Sequence, residues 1–208
     1  GTLLPVYRET LPRTAAAAFK SGKPWVLDPV GIGIGQLRSD LLQELKQYKP
    51  AIVRGNASEI IALASLWDIE ANAYESSCPR GVDTTDTVEA ARDAAAALAR
   101  YTGGAVAVSG KKDLVTDGEK VVYSEGGSEL MEKVTGFGCS QGGVLAVYAT
   151  ATNPFTAALA AVAHYNVAGS RAAKVADAPA SFKTAFIDEL YRATARDIAD
   201  NPFSVEEA

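Results

Sequence analysis

The sequence is poor in cysteine and in clusters of basic residues, and each shortage excludes a class of protein. Its 208 residues include two cysteines, Cys78 and Cys139, too few for a disulfide-stabilised secreted scaffold. They indicate a reducing compartment or a single reactive thiol. The 20 lysines and arginines are scattered and the net charge is −5, which argues against nucleic-acid binding. We therefore expect a cytoplasmic protein without a nucleic-acid partner.

Charged side chains are absent from residues 134 to 170, which raises the possibility of a membrane span. Asn153-Pro154 interrupts this stretch, and each apolar piece on either side is too short to cross a bilayer. Because both pieces also contain polar residues, they are typical of helices buried in a protein core. The sequence predicts no membrane partner.

Two common glycine-rich nucleotide-binding motifs are missing as well. The segment "GIGIGQ", residues 31 to 36, has glutamine at the sixth position of a G-x-G-x-x-G pattern. The segment "GGAVAVSGKK" has the wrong glycine spacing for a Walker A loop and no Ser or Thr after Lys111. If the protein handles a nucleotide, it uses a different architecture.

Composition and the order of apolar segments predict one α/β domain over residues 1–208. Hydrophobic residues make up 48% and charged residues 22%, as in soluble globular proteins. Strands that alternate with helices favour a mostly parallel sheet with helices on both faces. Strands are predicted at "PWVLDPVGIG", "PAIVRGN" and "GGAVAVSG", a hairpin turn at Asp117-Gly118, and helices from about Asp86 to Tyr101 and over 139 to 152, 155 to 176 and 182 to 199.

A polar residue closes each of the three predicted parallel strands: Asp28, Arg54 and Ser109. Ligands of such sheets bind beyond the carboxyl ends of the strands, so these side chains are candidate ligand contacts. Asp28 could hold a divalent cation or could be a turn residue before Pro29. Arg54 could bind phosphate or could be a solvated surface residue.

Glu59 offers a second carboxylate at the junction between the second strand and the helix that follows. It could join Asp28 at a cation site. Asn56 and Glu59 also have the spacing of an N-cap and its N3 partner, so Glu59 could cap the helix instead. Both interpretations stay open.

The stretch "VTGFGCSQGGVLAVYATA", residues 134 to 151, is a glycine-rich loop that leads directly into an apolar helix. Its free N–H groups, with the positive end of the helix dipole, would suit a phosphate. A tight turn beside a structural thiol is the alternative. Cys139 could be available there as a thiolate or could be inert. His164, the single histidine, is expected to pack in the core.

Five segments together carry a resemblance to a known family: "PWVLDPVGIG", "IVRGNASEI", "RGVDTTD", "VTGFGCSQGG" and "NPFTAALAAVAHYNVAG". They resemble the hydroxyethylthiazole kinases of the ribokinase-like superfamily, in the family's order and over essentially the whole chain. The resemblance implies a ribokinase-like fold. It also implies ATP- and Mg²⁺-dependent phosphorylation of the hydroxyethyl group of 4-methyl-5-(2-hydroxyethyl)thiazole in thiamine biosynthesis and salvage, by a homotrimer with active sites between subunits.

The resemblance further implies a role for each candidate residue. Polar side chains at the strand ends would bind the nucleotide and the metal, while the helix entrance would bind the alcohol and the transferring phosphate. By the family's pattern these residues are Arg54 and Ser109 for ATP, Asp28 and Glu59 for Mg²⁺, Gly136 for the substrate, Cys139 for catalysis beside the substrate hydroxyl, and the backbone of Gly136, Phe137, Gly138 and Cys139 for the anion hole.

Two features depart from the family's pattern. Phe137 stands where the family usually has a small residue or Thr, which affects the expected shape of the pocket. The sequence also begins well into the family fold, so we expect the N-terminal part of that fold to be absent from it. Two alternative functions are a catalytically silent nucleotide-binding or assembly subunit, and an ADP- or ATP-dependent NAD(P)H-hydrate dehydratase. The usual Gly-Asp of that dehydratase is Gly138-Cys139 here, which argues against it.

Overall fold

The computed structural model describes residues 3–69 and 88–207, and within these ranges six strands form one sheet. In chain order the strands are β1 (Val26–Leu27), β2 (Ile52–Asn56), β3 (Ala105–Ser109), β4 (Asp113–Thr116), β5 (Lys120–Ser124) and β6 (Phe203–Glu207). They lie side by side in the same order. The pairs β1-β2 and β2-β3 are parallel, and the three remaining pairs are antiparallel.

The predicted α/β fold with helices on both faces is confirmed, but the sheet is mixed rather than mostly parallel. Short connections are the reason, because residues 110 to 112 join β3 to β4 and residues 117 to 119 join β4 to β5. A connection of that length reverses the chain and cannot contain a crossover helix. The second connection is the predicted hairpin turn, in which Gly118 has a φ of +94°. The parallel half, β1 to β3, carries the candidate site.

The α-helices of the described residues divide between the two faces of the sheet. They are α1 (Tyr7–Lys20), α2 (Gln36–Leu45), α3 (Ala57–Leu66), α4 (Arg92–Thr102), α5 (Phe137–Ala149), α6 (Pro154–Ala172), α7 (Pro179–Arg192) and α8 (Ala195–Ala199). Short 3-10 helices span Lys46–Tyr48 and Glu129–Lys133. Buried residues of α1 to α4 share one apolar cluster, and those of α5 to α7 share two others.

Both faces of the central strands are buried because successive side chains of a strand point to opposite sides. In β2, Ile52 packs with α5 and α6, whereas Val53 packs with the helices of the opposite face. In β3, Ala105 lies in the same cluster as Ile52, and Val106 lies in the same cluster as Val53. Strands covered on both faces show continuous apolar runs, which explains why "AIV" and "AVAV" were readable as strands.

Predicted helices are present with shifted boundaries. The helices predicted over 139 to 152 and 155 to 176 are α5 and α6, and the helix predicted over 182 to 199 is divided into α7 and α8. The division falls at Thr194, which forms a new capping box with Asp197. The helix predicted from Asp86 is α4, which begins at Arg92; Asp86 and Cys78 lie outside the described residues. The edge strand β6 was not predicted.

The uncharged stretch from 134 to 170 forms α5 and most of α6. The break falls at Asn153, whose side chain caps α6 by accepting the N–H of Thr156 at 3.0 Å. Across the two described ranges, no helix combines the length with the apolar character that crossing a bilayer requires.

Candidate active site

Three of the candidate residues meet at the carboxyl ends of the parallel strands. Arg54 Nη1 lies 3.2 Å from Asp28 Oδ2, and Arg54 Nη2 donates to Ser109 Oγ at 2.8 Å. Ser109 Oγ in turn donates to the carbonyl of Gly55 at 3.3 Å. Asp28 and Ser109 are 26 and 55 positions away from Arg54 along the chain, and the three meet because parallel strands end at the same edge of the sheet.

The guanidinium of Arg54 is almost completely buried, with 4% of the residue exposed. Its Nε is also buried, and none of the described residues accepts a hydrogen bond from it. Burying a cation is unfavourable unless partners compensate it, and within residues 3–69 and 88–207 Asp28 is the single carboxylate in direct contact with Arg54. A buried arginine with a donor to spare is suited to an anionic ligand.

The glycine-rich entrance of α5 lies against this guanidinium. A Cβ at Gly138 would be 3.2 Å from Arg54 Nη1, and a Cβ at Gly142 would be 3.9 Å from Asp28 Oδ2. The glycines therefore allow the first two turns of α5 to approach the ends of β1 and β2. The close approach brings the positive end of the helix dipole next to the arginine, which concentrates positive potential at one place.

The first turn of α5 keeps backbone donors available. Gly136 is its N-cap and adopts a φ of +92°, a conformation that favours glycine. The N–H of Phe137 donates to the carbonyl of Val134 at 3.4 Å. Among the described residues, the N–H groups of Gly138 and Cys139 have no acceptor. These two donors are available to a ligand, and Cys139 is exposed as a free thiol beside them.

The side chain of Phe137 does not occupy this entrance. Its ring is 8% exposed and packs against Phe186 and Phe182, with ring centroids 4.6 Å and 5.8 Å away. Tyr165 completes this aromatic cluster through an edge contact with Phe186 at 5.0 Å. Phe137 thus anchors the start of α5 on α6 and α7. Phe182 and Phe186 are four positions apart, which could have indicated one face of a helix. Their spacing could not have indicated that this face packs against Phe137.

Ser140 and Tyr165 fix the same helix end, and neither was predicted from the sequence. Ser140 Oγ donates to the carbonyl of Phe137 at 2.9 Å and lies 2.8 Å from the hydroxyl oxygen of Tyr165. Since the serine proton is directed at the carbonyl, the tyrosine hydroxyl must donate to the serine. Burial raises the pKa of Tyr165, which keeps that donor proton in place.

Glu59 adopts the capping geometry that the sequence left as one of two interpretations. Its Oε2 accepts the N–H of Asn56 at 2.9 Å, and Asn56 Oδ1 accepts the N–H of Glu59 at 2.8 Å. Its Oε1 accepts the N–H of Gly31 at 3.2 Å. Asp28 Oδ1 accepts the N–H of Val30 at 3.1 Å in the same turn. Glu59 therefore ties the turn after Asp28 to the start of α3.

Replacing Glu59 with alanine should lower the free energy of unfolding by about 2 to 3 kcal/mol, because two backbone N–H groups would lose their acceptor. Glu59 is 5% exposed, so water cannot readily take its place. Asp197→Ala removes the acid of the exposed capping box of α8 and should cost about 1 kcal/mol or less. Urea unfolding of both variants checks this, and equal losses would contradict it.

The donors available for a cation are few. Among the residues that the structure describes, no three or more His, Cys, Asp or Glu side chains converge as a metal cluster. His164 was expected in the core but is half-buried, because its ring bonds to polar groups, with Nδ1 3.0 Å from the Tyr148 hydroxyl and Nε2 donating to the carbonyl of Leu190 at 2.8 Å. Asp28 and Glu59 remain as the two carboxylates at the site. This sparse set fits Mg²⁺, which commonly combines one or two carboxylates with waters and substrate phosphates.

A parallel half-sheet that presents a buried arginine to the glycine-rich start of a helix has the features of a phosphate-binding α/β protein. The sequence model of the hydroxyethylthiazole kinase family matches residues 1–196. The chain belongs to that family. Its enzyme class is therefore that of a kinase, and the matches lend no support to a silent assembly subunit or to a hydrate dehydratase.

Individual relatives agree with this assignment. The hydroxyethylthiazole kinase of Bifidobacterium longum (strain DJO10A) is 45% identical over 223 residues, covering 99% of this chain and 71% of the relative. The structure of the hydroxyethylthiazole kinase protein from Pyrococcus horikoshii OT3 is 29% identical and matches with a TM-score of 0.83 over 100% of this chain and 74% of that one.

A more distant structure shares the fold. The pyridoxal kinase from Staphylococcus aureus, solved in complex with AMP-PCP, has a TM-score of 0.60 at 19% identity. The match covers 100% of this chain and 72% of that chain. Together with the thiazole kinase structure, it confirms the predicted ribokinase-like fold.

Proposed function

We propose that this chain transfers the γ-phosphoryl group of ATP to the hydroxyethyl group of 4-methyl-5-(2-hydroxyethyl)thiazole, with Mg²⁺, in thiamine biosynthesis or salvage. The observation that carries the proposal is the buried Arg54 lying against the glycine entrance of α5. Membership of the hydroxyethylthiazole kinase family supports the choice of alcohol.

In this proposal the nucleotide phosphates lie between Arg54 and the first turn of α5. Arg54 would offset phosphate charge, and Ser109, which it contacts at 2.8 Å, would hold the nucleotide at the end of β3. The unpaired N–H groups of Gly138 and Cys139, in the anion hole formed with Gly136 and the backbone of Phe137, would bind the transferring phosphoryl group. Phosphoryl transfer depends mainly on such positioning and charge neutralisation.

Asp28 and Glu59 would hold the Mg²⁺, which supplies neutralisation of the phosphate charge when it is bound. Asp28 is the more accessible of the two, with 18% of its side chain exposed. Each carboxylate oxygen of Glu59 already accepts one backbone N–H and retains a further lone pair. Glu59 can therefore keep its cap while facing the cation region.

The thiazole alcohol would bind at Gly136 with its hydroxyl beside Cys139. The thiol is exposed at the helix entrance, so a substrate can reach it. Cys139 would accept or guide the proton that leaves the hydroxyl as its oxygen attacks the γ-phosphorus.

Substitution at Cys139 tests the catalytic role, with ADP release as the readout and kcat and KM measured across pH. If the thiol takes the proton, Cys139→Ala should lower kcat by about 100-fold with little change in KM for the alcohol, since a general base contributes roughly that factor. Cys139→Asp should retain activity, because a carboxylate at a helix N-terminus is stabilised by the dipole and can act as a base.

Near-equal kcat in all three proteins would remove Cys139 as the base and leave it a part of the anion loop. The reaction itself is tested with the wild type by comparing ADP release with the thiazole alcohol, with pyridoxal as a second primary alcohol, and without acceptor. ADP release that does not depend on the thiazole alcohol would contradict the proposed substrate.

The remaining features of the proposal concern the whole protein. We propose a single ribokinase-like domain over residues 1–208 that assembles as a homotrimer in the cytoplasm, with active sites between subunits. The continuous six-stranded sheet of the described residues supports the single domain, and the small number of cysteines supports the reducing compartment. A sedimentation measurement that shows a monomer with full activity would contradict the trimer.

A further inference from the structure

A group of buried polar side chains is connected to the candidate site through the turn between β3 and β4. We define this polar network as Asp113, Ser124, Asn166 and Asn201, each of them 9% exposed or less. Asn166 Nδ2 donates to Asp113 Oδ2 at 3.0 Å and to Ser124 Oγ at 3.1 Å. Asn201 Nδ2 donates to Ser124 Oγ at 3.0 Å. The network joins β4, β5 and α6 to Asn201, which lies two residues before β6.

Asp113 connects this network to the candidate site. Its Oδ1 accepts the N–H of Gly110 at 3.0 Å, and Gly110 directly follows Ser109. Ser109 is the residue that Arg54 Nη2 contacts at 2.8 Å. Asp113 therefore holds the turn between β3 and β4 in the position that presents the Ser109 hydroxyl to Arg54. Through Asn166, it also attaches that turn to α6.

A buried carboxylate at this place is costly, and a neutral side chain could make the same contact with Gly110. Burial raises the pKa of Asp113 to about 6, and the positive charge of Arg54 opposes that rise. Two neutral side chains surround Asp113, Asn166 from α6 and Ser124 from β5, and they are hydrogen-bonded to each other. Lys112, on its own turn, pairs at 2.8 Å with Glu125, which follows β5, and both side chains are exposed. The carboxylate thus serves both as an acceptor in the network and as a second negative charge near Arg54.

We propose that Asp113 is a positioning residue for the nucleotide. By bonding to Gly110 and Asn166, it fixes the position of Ser109, and its charge sets the electrostatic field around Arg54 for ATP binding. The inference rests on the proposed function, because it assigns ATP to Arg54 and Ser109. Asp113 itself need not touch the nucleotide. Its effect is therefore expected on the KM for ATP rather than on the KM for the alcohol.

Asp113→Asn is the direct test, because it keeps the shape and the acceptor for Gly110. Its new amide group would face the amide group of Asn166, so two donors would oppose each other. We expect the KM for ATP to rise about tenfold, as for loss of one buried hydrogen bond to a charged group, while the KM for the alcohol changes less than about twofold. Asp117→Asn, at the opposite end of β4 in the exposed hairpin turn, is the matched control and should leave both values unchanged.

Exchanging the two partners provides a rescue experiment. In the double variant Asp113→Asn with Asn166→Asp, the new amide donates to the new carboxylate, and the hydroxyl of Ser124 can turn to donate to it as well. We expect the exchange to restore most of the lost ATP affinity. A general weakening of the core would not be repaired by it.

The pH profile separates positioning from simple packing. As the pH falls through about 6, Asp113 gains a proton and its hydroxyl group faces the Asn166 amide, which reproduces the conflict of Asp113→Asn within the wild type. The KM ratio of variant to wild type should therefore be about ten at pH 8 and approach one near pH 5. Titration of ATP affects both proteins equally and cancels in the ratio.

The outcomes distinguish this inference from the proposed function. Wild-type protein without Mg²⁺-dependent ATP binding would overturn the proposed function and, with it, any nucleotide role of Asp113. Wild-type protein that binds ATP, with an unchanged KM in folded Asp113→Asn, would overturn the role of Asp113 alone. An equal rise in the KM for both substrates, or a ratio that does not vary with pH, would also overturn it.

Discussion

Replacing Arg54 with alanine is expected to weaken ATP binding by about 100-fold or more, while the chain remains folded. Charge-assisted hydrogen bonds to phosphate contribute roughly 1.5 to 3 kcal/mol each, so losing a guanidinium that makes one or two of them accounts for the factor. The fold should survive, since removing Arg54 also removes a buried cation, and Asp28 is exposed enough to be hydrated. Calorimetric titration with ATP and Mg²⁺, together with the thermal transition, measures both effects.

Arg192 offers a matched control for the loss of one positive charge. It lies on α7, pairs with Asp188 and Glu189, and has 61% of its side chain exposed. Arg192→Ala should leave ATP affinity unchanged and cost at most about 1 kcal/mol of stability. Arg54→Lys keeps the charge but not the planar fork, so it should recover a part of the affinity. An unchanged affinity in natively folded Arg54→Ala would exclude Arg54 as a nucleotide ligand.

Gly138→Ala is expected to lower kcat/KM by about 10- to 100-fold, although it adds a single methyl group. The new Cβ would lie 3.2 Å from Arg54 Nη1, which is tighter than an ordinary contact. The guanidinium or the first turn of α5 must move by a few tenths of an ångström, and small misplacements of groups that position a reacting phosphoryl group reduce rates strongly. Steady-state kinetics with both substrates measures this effect.

Gly143 in the same helix provides the control for Gly138. A Cβ at Gly143 would meet nothing within 4 Å, so Gly143→Ala adds the same group without a contact at the site. It should leave kcat/KM unchanged and raise the free energy of unfolding by about 0.5 to 1 kcal/mol, since alanine favours a helix. Equal activity of Gly138→Ala and Gly143→Ala would show that the close approach of α5 to Arg54 has no role in the reaction.

Features that depend on residues close together in the chain could be predicted from the amino-acid sequence. Continuous apolar runs indicated the parallel strands, and the rule that ligands bind beyond their carboxyl ends selected Asp28, Arg54 and Ser109. The hairpin turn at Asp117-Gly118 and the cap formed by Asn56 and Glu59 were also readable. These features are encoded by residues a few positions apart, so their spacing is sufficient to reveal them.

Contacts between residues far apart in the chain could be identified only in the folded molecule. Nothing in the sequence indicated that the ring of Phe137 would pack with Phe182 and Phe186 rather than in the pocket. The bond between Asn166 and Asp113 joins positions 53 residues apart, and β6 reaches the sheet edge only after the whole helical half of the chain. Such contacts depend on how complete faces pack against each other, and a pattern of neighbouring residues carries no information about which face will be the partner.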